Sequence, residues 1–228
     1  MKLSAKAGSY VSLTVILAYW VYKVVTANTD NKIPDSFSAF VLQVALVKIA
    51  TMGSILLLLF VEGARWSELG LTTENWKKRV LSGALIGVVL FVLLNVMLSS
   101  LLSSVFPGDG SGDNPAAHLF RDPQNIYIWL LIGILGGGFV EELSRIFVLT
   151  RFEKAFHSGG LYFALICSSI IFGLGHIYQG NSTAVSTGIS GLVMGLIYIR
   201  RRSTLEIVVV HAVTDILAIV AAFMLYSK

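Results

Sequence analysis

The sequence predicts an all-α fold, a polytopic transmembrane helix bundle of about seven spans (six to eight), forming a single domain over 1–228. Composition is the first reason. Apolar residues make up 55% of the chain and charged residues 13%, with a mean hydropathy of +0.78. Soluble domains carry roughly 45–50% apolar and about 25% charged residues. The second reason is the series of apolar runs, which place helices near 9–26, 37–61, 79–105, 125–153, 160–178, 183–199 and 204–226. The third is the distribution of charge. Lys2 and Lys6, then Arg65 with Lys77 to Arg79, then Arg151 with Lys154, then Arg200 to Arg202 fall on alternate loops. The intervening loops, Asn28 to Ser36 and Pro107 to Gln124, are not enriched in Lys or Arg. That alternation predicts an integral multi-pass protein with a cytoplasmic N-terminus, in the plasma membrane if the source is prokaryotic. The net charge of +4 therefore reflects topology, with the lipid bilayer as partner and no nucleic acid.

Each run has its own signals. Tyr10 to Val25 resembles a signal peptide in its basic approach, but its length suits a span and no small-x-small cleavage site follows, so an uncleaved helix is expected. Lys48 lies in mid-span of the second run, suited to partner a site carboxylate or to line a water cavity. Segment 63–78, with Trp66 and Trp76 beside basic residues, is expected at the headgroup level as a helix, turn or plain loop. Asn95 is expected to make an interhelical hydrogen bond in the third run. Gly133-xxx-Gly137 and Gly191-xxx-Gly195 provide the small-residue spacing of close helix packing. Gly136 to Gly138, next to charged residues, would also let substrate or water approach. Cys167 is a packing residue with no disulfide partner, and His118 and His157 carry no assigned role.

Three motifs stand inside the later runs: Glu141-Glu142-Leu143-Ser144-Arg145, Phe172-Gly173-Leu174-Gly175-His176 and His211-Ala212-Val213-Thr214-Asp215. An ionisable group costs about 2.5–3.5 kcal/mol at the centre of a spanning helix on insertion scales, so six of them argue for use. Residues four apart share a helix face, which pairs His211 with Asp215 and Phe172 with His176. Arg145 can reach either Glu141 or Glu142, leaving one carboxylate to meet a histidine or take a proton. Such a group suits a general base that activates water. No Gly-x-Ser-x-Gly element is present, and Cys167 is too far along the helix from His176 to share its face. Counted at about 1.5 Å per residue, Glu141 falls near mid-bilayer, His211 nearer the basic side, and His176 toward the opposite end. The three converge only if the fifth span is tilted or displaced, or if residues 177–183 are buried.

The order Glu-Glu…Arg, Phe-xxx-His, His-xxx-Asn/Asp, each on its own span, resembles the CPBP family of type II CAAX prenyl endopeptidases, bacteriocin-processing and abortive-infection proteins. The likeness covers about 125–226, with Leu69-Gly70-Leu71 a further similar stretch. It implies an intramembrane endopeptidase acting on a peptide or membrane-associated protein, prenylated or not. It further implies that Glu141 and His176 activate water, that His211 and Asp215 form the oxyanion side, and that Glu142, Arg145 and Phe172 support them. The chain departs from the family twice. Two residues rather than three separate Glu142 from Arg145, and Asp215 stands where the prenyl endopeptidases often have Asn. No obligate cofactor is expected; a zinc ion, if held, would take Glu141, His176 and His211 as three ligands. The competing readings are a non-catalytic membrane immunity or scaffold protein retaining the fold, and an ion-coupled transporter.

Overall fold

A computed structural model describes residues 5–26, 33–106 and 117–227. Lys2, much of the Asn28–Ser36 loop and the first part of the Pro107–Gln124 loop lie outside the described residues. Everything described is helix, turn or loop, with no strand among the described residues. The helices are α1 (Ala5–Thr26), α2 (Phe37–Glu62), α3 (Trp76–Val105), α4 (126–156), α5 (157–174), α6 (Asn181–Arg201) and α7 (Thr204–Tyr226). Six continuous helical stretches among the described residues are long and apolar enough to cross a membrane. One of them, Pro123–Leu174, has 52 residues. Straight, it would measure roughly 78 Å against about 30 Å of hydrocarbon.

It folds back instead. Phe156 (φ −130°, ψ 15°) and His157 (φ 55°, ψ −146°) leave helical geometry and divide it into α4 and α5. The two arms then meet side by side: the Arg145 guanidinium sits 5.0 Å from the Phe172 ring, and Trp20 packs on both Phe152 and Phe163. The hairpin divides the six stretches into seven helical segments, in a multi-pass membrane protein.

The ends of the helices are set by local chemistry. Ser36 caps α2 by accepting from the Ala39 N–H at 3.3 Å, and Ser203 caps α7 by accepting from Glu206 N–H at 3.3 Å. Segment 63–78 forms a 3-10 turn, Trp66–Leu69, closed when Glu68 accepts from the Arg65 N–H at 3.0 Å. Its Leu69 is fully buried and its carbonyl accepts from Thr204 Oγ1, so this stretch is docked on the bundle through that residue while most of it, Trp66 and Trp76 included, stays exposed. Gly70 must stay bare, since at φ 73° a Cβ would stand 2.8 Å from the Arg202 carbonyl. The hydrogen bond expected of Asn95 is absent among the described residues. The Leu94 carbonyl makes the interhelical contact instead, accepting from Ser186 Oγ at 3.3 Å in a stretch where α3 is π-helical, Phe91–Leu98. The wider π turn presents carbonyls that an α-helix would keep for itself.

Two of the basic clusters, Arg151 with Lys154 and Arg201 with Arg202, are held by acids of neighbouring segments. Glu153 accepts from Arg202 twice at 2.6 Å, Arg201 reaches Glu206 at 2.5 Å, and Lys154 lies 3.7 Å from Glu68. Arg151 meets Glu62 at 2.7 Å, with side chains 1% and 0% exposed, and lies 4.6 Å from the Phe147 ring. Ser12 of α1 donates to the same Glu62, so one buried pair ties α1, α2 and α4.

Two apolar clusters fill the bundle. One, nearer the basic face, includes Ile55, Leu58, Leu143, Ile146, Phe147, Leu165, Met194, Ile207 and Val210. The other, toward the opposite face, joins Phe40, Leu119, Phe120, Trp129, Ile219 and Phe223. Along α2, α4 and α7 the residues between the clusters are those around Lys48, Glu141 and His211.

Removing one partner of a buried ion pair strands the other. Glu62→Gln or Arg151→Met should lower stability by about 3–5 kcal/mol, read as a shift of the denaturation midpoint in detergent. An unchanged midpoint would show that the pair does not hold α1 and α2 to α4.

Candidate active site

The ten residues Ile132–Glu141, ending on the first glutamate of the pair, are π-helical, and Glu142 resumes the α-helix. This change of winding falls where two adjacent carboxylates take different partners. Glu141 Oε1 accepts from the Lys48 ammonium of α2. Its Oε2 lies 3.9 Å from His211 Nε2 of α7. Glu142 Oε1 meets His211 Nδ1 at 2.9 Å and Arg145 Nη1 at 2.8 Å. Arg145, of the two carboxylates it could reach, thus takes Glu142, and its Nη2 donates to the Gly191 carbonyl of α6. Asp215 Oδ1 stands 3.5 Å from His211 Nε2, one turn along α7.

His176 lies just past the end of α5, where Ile177–Gln179 forms a half-buried 3-10 turn closed by Gly180. Its Nδ1 is 2.9 Å from the Phe172 carbonyl. A carbonyl only accepts, so Nδ1 carries a proton, and Nε2 is the ring nitrogen left toward the site. Phe172 contacts both histidines edge-on, with centroids 5.0 Å from His176 and 5.9 Å from His211. His176 is also close enough to Glu141 to interact with it electrostatically.

The depth problem is resolved by the hairpin. The Glu153–Arg202 bonds fix α4 against the α6–α7 turn, and the tip at Phe156–His157 lies about one helical turn, about 5 Å, beyond it. α5 starts that much deeper and ends by Leu174, which brings Phe172 level with Arg145 and His211.

The structure thus gathers all seven sequence-predicted residues: Glu141, Glu142, Arg145, Phe172, His176, His211 and Asp215. It also adds some. Lys48 takes the first of the two roles open to it. Tyr178 stacks with His176 at 6.3 Å, accepts from Gln179 Nε2 at 2.8 Å, and interacts with both Glu141 and Asp215. Burial pushes its phenol above the ordinary tyrosine value, keeping it a protonated donor. Tyr19 of α1 feels the Glu141 charge. Neither tyrosine has a spacing signal; Tyr178 could have been found only by its closeness to His176.

The glycines near the pair make room for the site's own side chains. A Cβ on Gly137 would overlap Asp215 Oδ2 and lie 3.3 Å from His211 Nε2, while one on Gly138 would stand 2.8 Å from Ala212 Cβ. Gly191 and Gly195 do more than pack helices: a Cβ would stand 3.0 Å from Phe172 Cδ1 at the first and overlap Leu165 Cδ1 at the second, and both glycines border the Arg145 guanidinium, 3.4 Å from Nη2.

Residues 123–217 match the protein family described as type II CAAX prenyl endopeptidase Rce1-like. That is a likeness to the family over those residues, and the matched stretch spans all three motifs. No curated protein and no solved structure matches the chain.

Gly137→Ala forces Asp215 and His211 aside and should cost about 1–3 kcal/mol, as overpacking does. Gly53→Ala, with nothing within 4 Å of its Cβ, should leave stability unchanged or slightly higher. Thermal unfolding of the two variants in one detergent compares them directly; equal midpoints would contradict the close approach of α4 and α7.

Proposed function

We propose that the protein is an intramembrane endopeptidase of the CAAX-protease type, hydrolysing a peptide bond of a peptide or membrane-associated protein, prenylated or not, by activated water. The observation that carries this is the meeting of Glu141 and His211 from separate spans, Oε2 to Nε2 at 3.9 Å, between two apolar clusters and with each group held by its own partner. Acid–base groups fixed at membrane depth suit a proton transfer that bulk water would otherwise compete for.

In this reading Glu141 Oε2 takes a proton from water as the water oxygen attacks the carbonyl carbon. The neutral His176 ring, its Nδ1–H given to the Phe172 carbonyl, would share that role through Nε2. His211 donates Nδ1–H to Glu142 and, in its doubly protonated form, donates Nε2–H to the oxyanion of the tetrahedral intermediate. Collapse of the intermediate returns the proton to the departing amine. Arg145 and Glu142 hold the His211 ring, and Phe172 walls the site. Asp215 orients His211, since an ionised carboxylate only accepts.

No obligate metal enters this scheme. Among the described residues no three His, Cys, Asp or Glu side chains gather as metal ligands; Glu141 Oε1 and His211 Nδ1 are turned to Lys48 and Glu142, and the scheme assigns the remaining Oε2 and Nε2 to water and substrate. The positive-inside tendency puts the basic face and the N-terminus in the cytoplasm, and the protein in the plasma membrane if the source is prokaryotic.

The test uses purified protein in lipid nanodiscs with a farnesylated peptide ending in a C-a-a-X sequence, its products separated by chromatography. Wild type should cleave, and Glu141→Gln or His211→Ala should each lower kcat by about 100-fold or more. Turnover equal in wild type and both variants would remove the proposal. Turnover should also persist after dialysis against a chelator; loss restored by zinc would overturn the metal-free scheme.

A further inference from the structure

Lys48 stands on α2, outside the residues that match the family. At mid-span its stem is too far from either end of the helix for the ammonium to reach the headgroups. Its placement there therefore carries the full penalty of a charge within the bilayer unless it is paired. Its partner is Glu141, and the pair is partly open, with side chains 23% and 22% exposed. The α4 backbone is shaped for it: a Cβ on Gly136 would stand 3.3 Å from Lys48 Cε and 3.7 Å from Cγ, so the bare glycine leaves a channel for the lysine stem.

The consequence lies in which oxygen is taken. The two oxygens of a free carboxylate are equivalent, and the group rotates. With Lys48 on Oε1, Oε2 is the oxygen left facing His211. The other fixed cation of the site is committed elsewhere, Arg145 to Glu142 and the Gly191 carbonyl.

We propose that Lys48 is a positioning residue for Glu141, fixing its carboxylate so that one oxygen is neutralised and the other faces the reacting water. This rests on Glu141 acting as the base. The substrate touches Glu141, and Lys48 works through it. The α1–α2 hairpin is on this account part of the working site, although it carries none of the three motifs.

The experiment compares wild type, Lys48→Met, Lys48→Arg, Gly136→Ala and Glu141→Gln in nanodiscs with the same farnesylated peptide, measuring kcat and KM separately and melting temperature alongside. Lys48→Met keeps the stem and removes the charge; kcat should fall about 10–100-fold, less than the roughly 100–10,000-fold that the base itself contributes, with KM within about threefold. Lys48→Arg should recover most of that loss. Gly136→Ala changes no polar group of the site, and its methyl, 3.3 Å from Lys48 Cε, presses the ammonium end aside by a few tenths of an ångström, so kcat should fall in the same direction but by less. Wild-type kcat in Lys48→Met overturns the proposal, as does a Lys48→Arg variant no better than Lys48→Met. If Lys48→Met fails to fold, Gly136→Ala with wild-type kcat overturns it. Wild-type protein no more active than Glu141→Gln removes the peptidase reading itself, and this inference with it. An active wild type with an unaffected Lys48→Met removes this inference alone.

Discussion

A charge at membrane depth has no water to turn to, and that constraint organises the middle of this protein. The response is a continuous polar thread. Lys48 donates to Glu141; across a 3.9 Å gap stands His211, which meets Glu142, which meets Arg145, which donates to the Gly191 carbonyl. Each step passes from one helix to another or stabilises the next, so α2, α4, α7 and α6 are registered by side chains that none of them could bury alone. The break in the thread is the gap between Glu141 and His211. It is the one place along it where opposite partners face each other without a normal hydrogen bond, and so the natural place for a reacting molecule.

The thread requires helices closer than bulky side chains allow, which is the work of Gly136, Gly137, Gly191 and Gly195. The π-helical stretch Ile132–Glu141 has a related role. Adjacent residues on an α-helix point about 100° apart, following from 3.6 residues per turn. A change of winding at the pair lets both carboxylates lie near His211 while Glu141 also reaches back to Lys48. Sequence-matched boundaries and physical boundaries then differ. The family match begins at residue 123, yet the carboxylate it contains is completed by a lysine 93 positions away.

Much of the architecture was legible from hydrophobic runs, because a bilayer imposes length and composition on every crossing. The second and seventh runs agree with α2 and α7 to within a residue, and the break near residue 157 was visible as a gap between 153 and 160. The depth of that break was not visible, since it depends on Glu153 meeting Arg202, a contact 49 residues apart. For the same reason His176 looked misplaced in the sequence and is not so in the structure. The motif residues were legible because ionisable groups in apolar runs are conspicuous. Tyr178, Tyr19 and the acids that answer the basic clusters were not, because aromatic and surface-level acidic residues are ordinary in those positions.

The departure in arginine spacing has a structural answer. At i+4 an arginine stands directly over the glutamate one turn before it; at i+3 it is rotated to one side. Arg145 still reaches Glu142 at 2.8 Å, and the rotation carries its second nitrogen onto α6. A side chain entering the α6 surface would meet a wall wherever that helix bears a Cβ. Gly191 and Gly195 remove the wall at the two successive turns where the guanidinium lies, and Phe172 closes the remaining side at 5.0 Å. The shifted arginine and the glycine pair are therefore one feature. A side chain at Gly191 would press on Phe172, which walls both the guanidinium and His211, and one at Gly195 would press on Leu165 beside it.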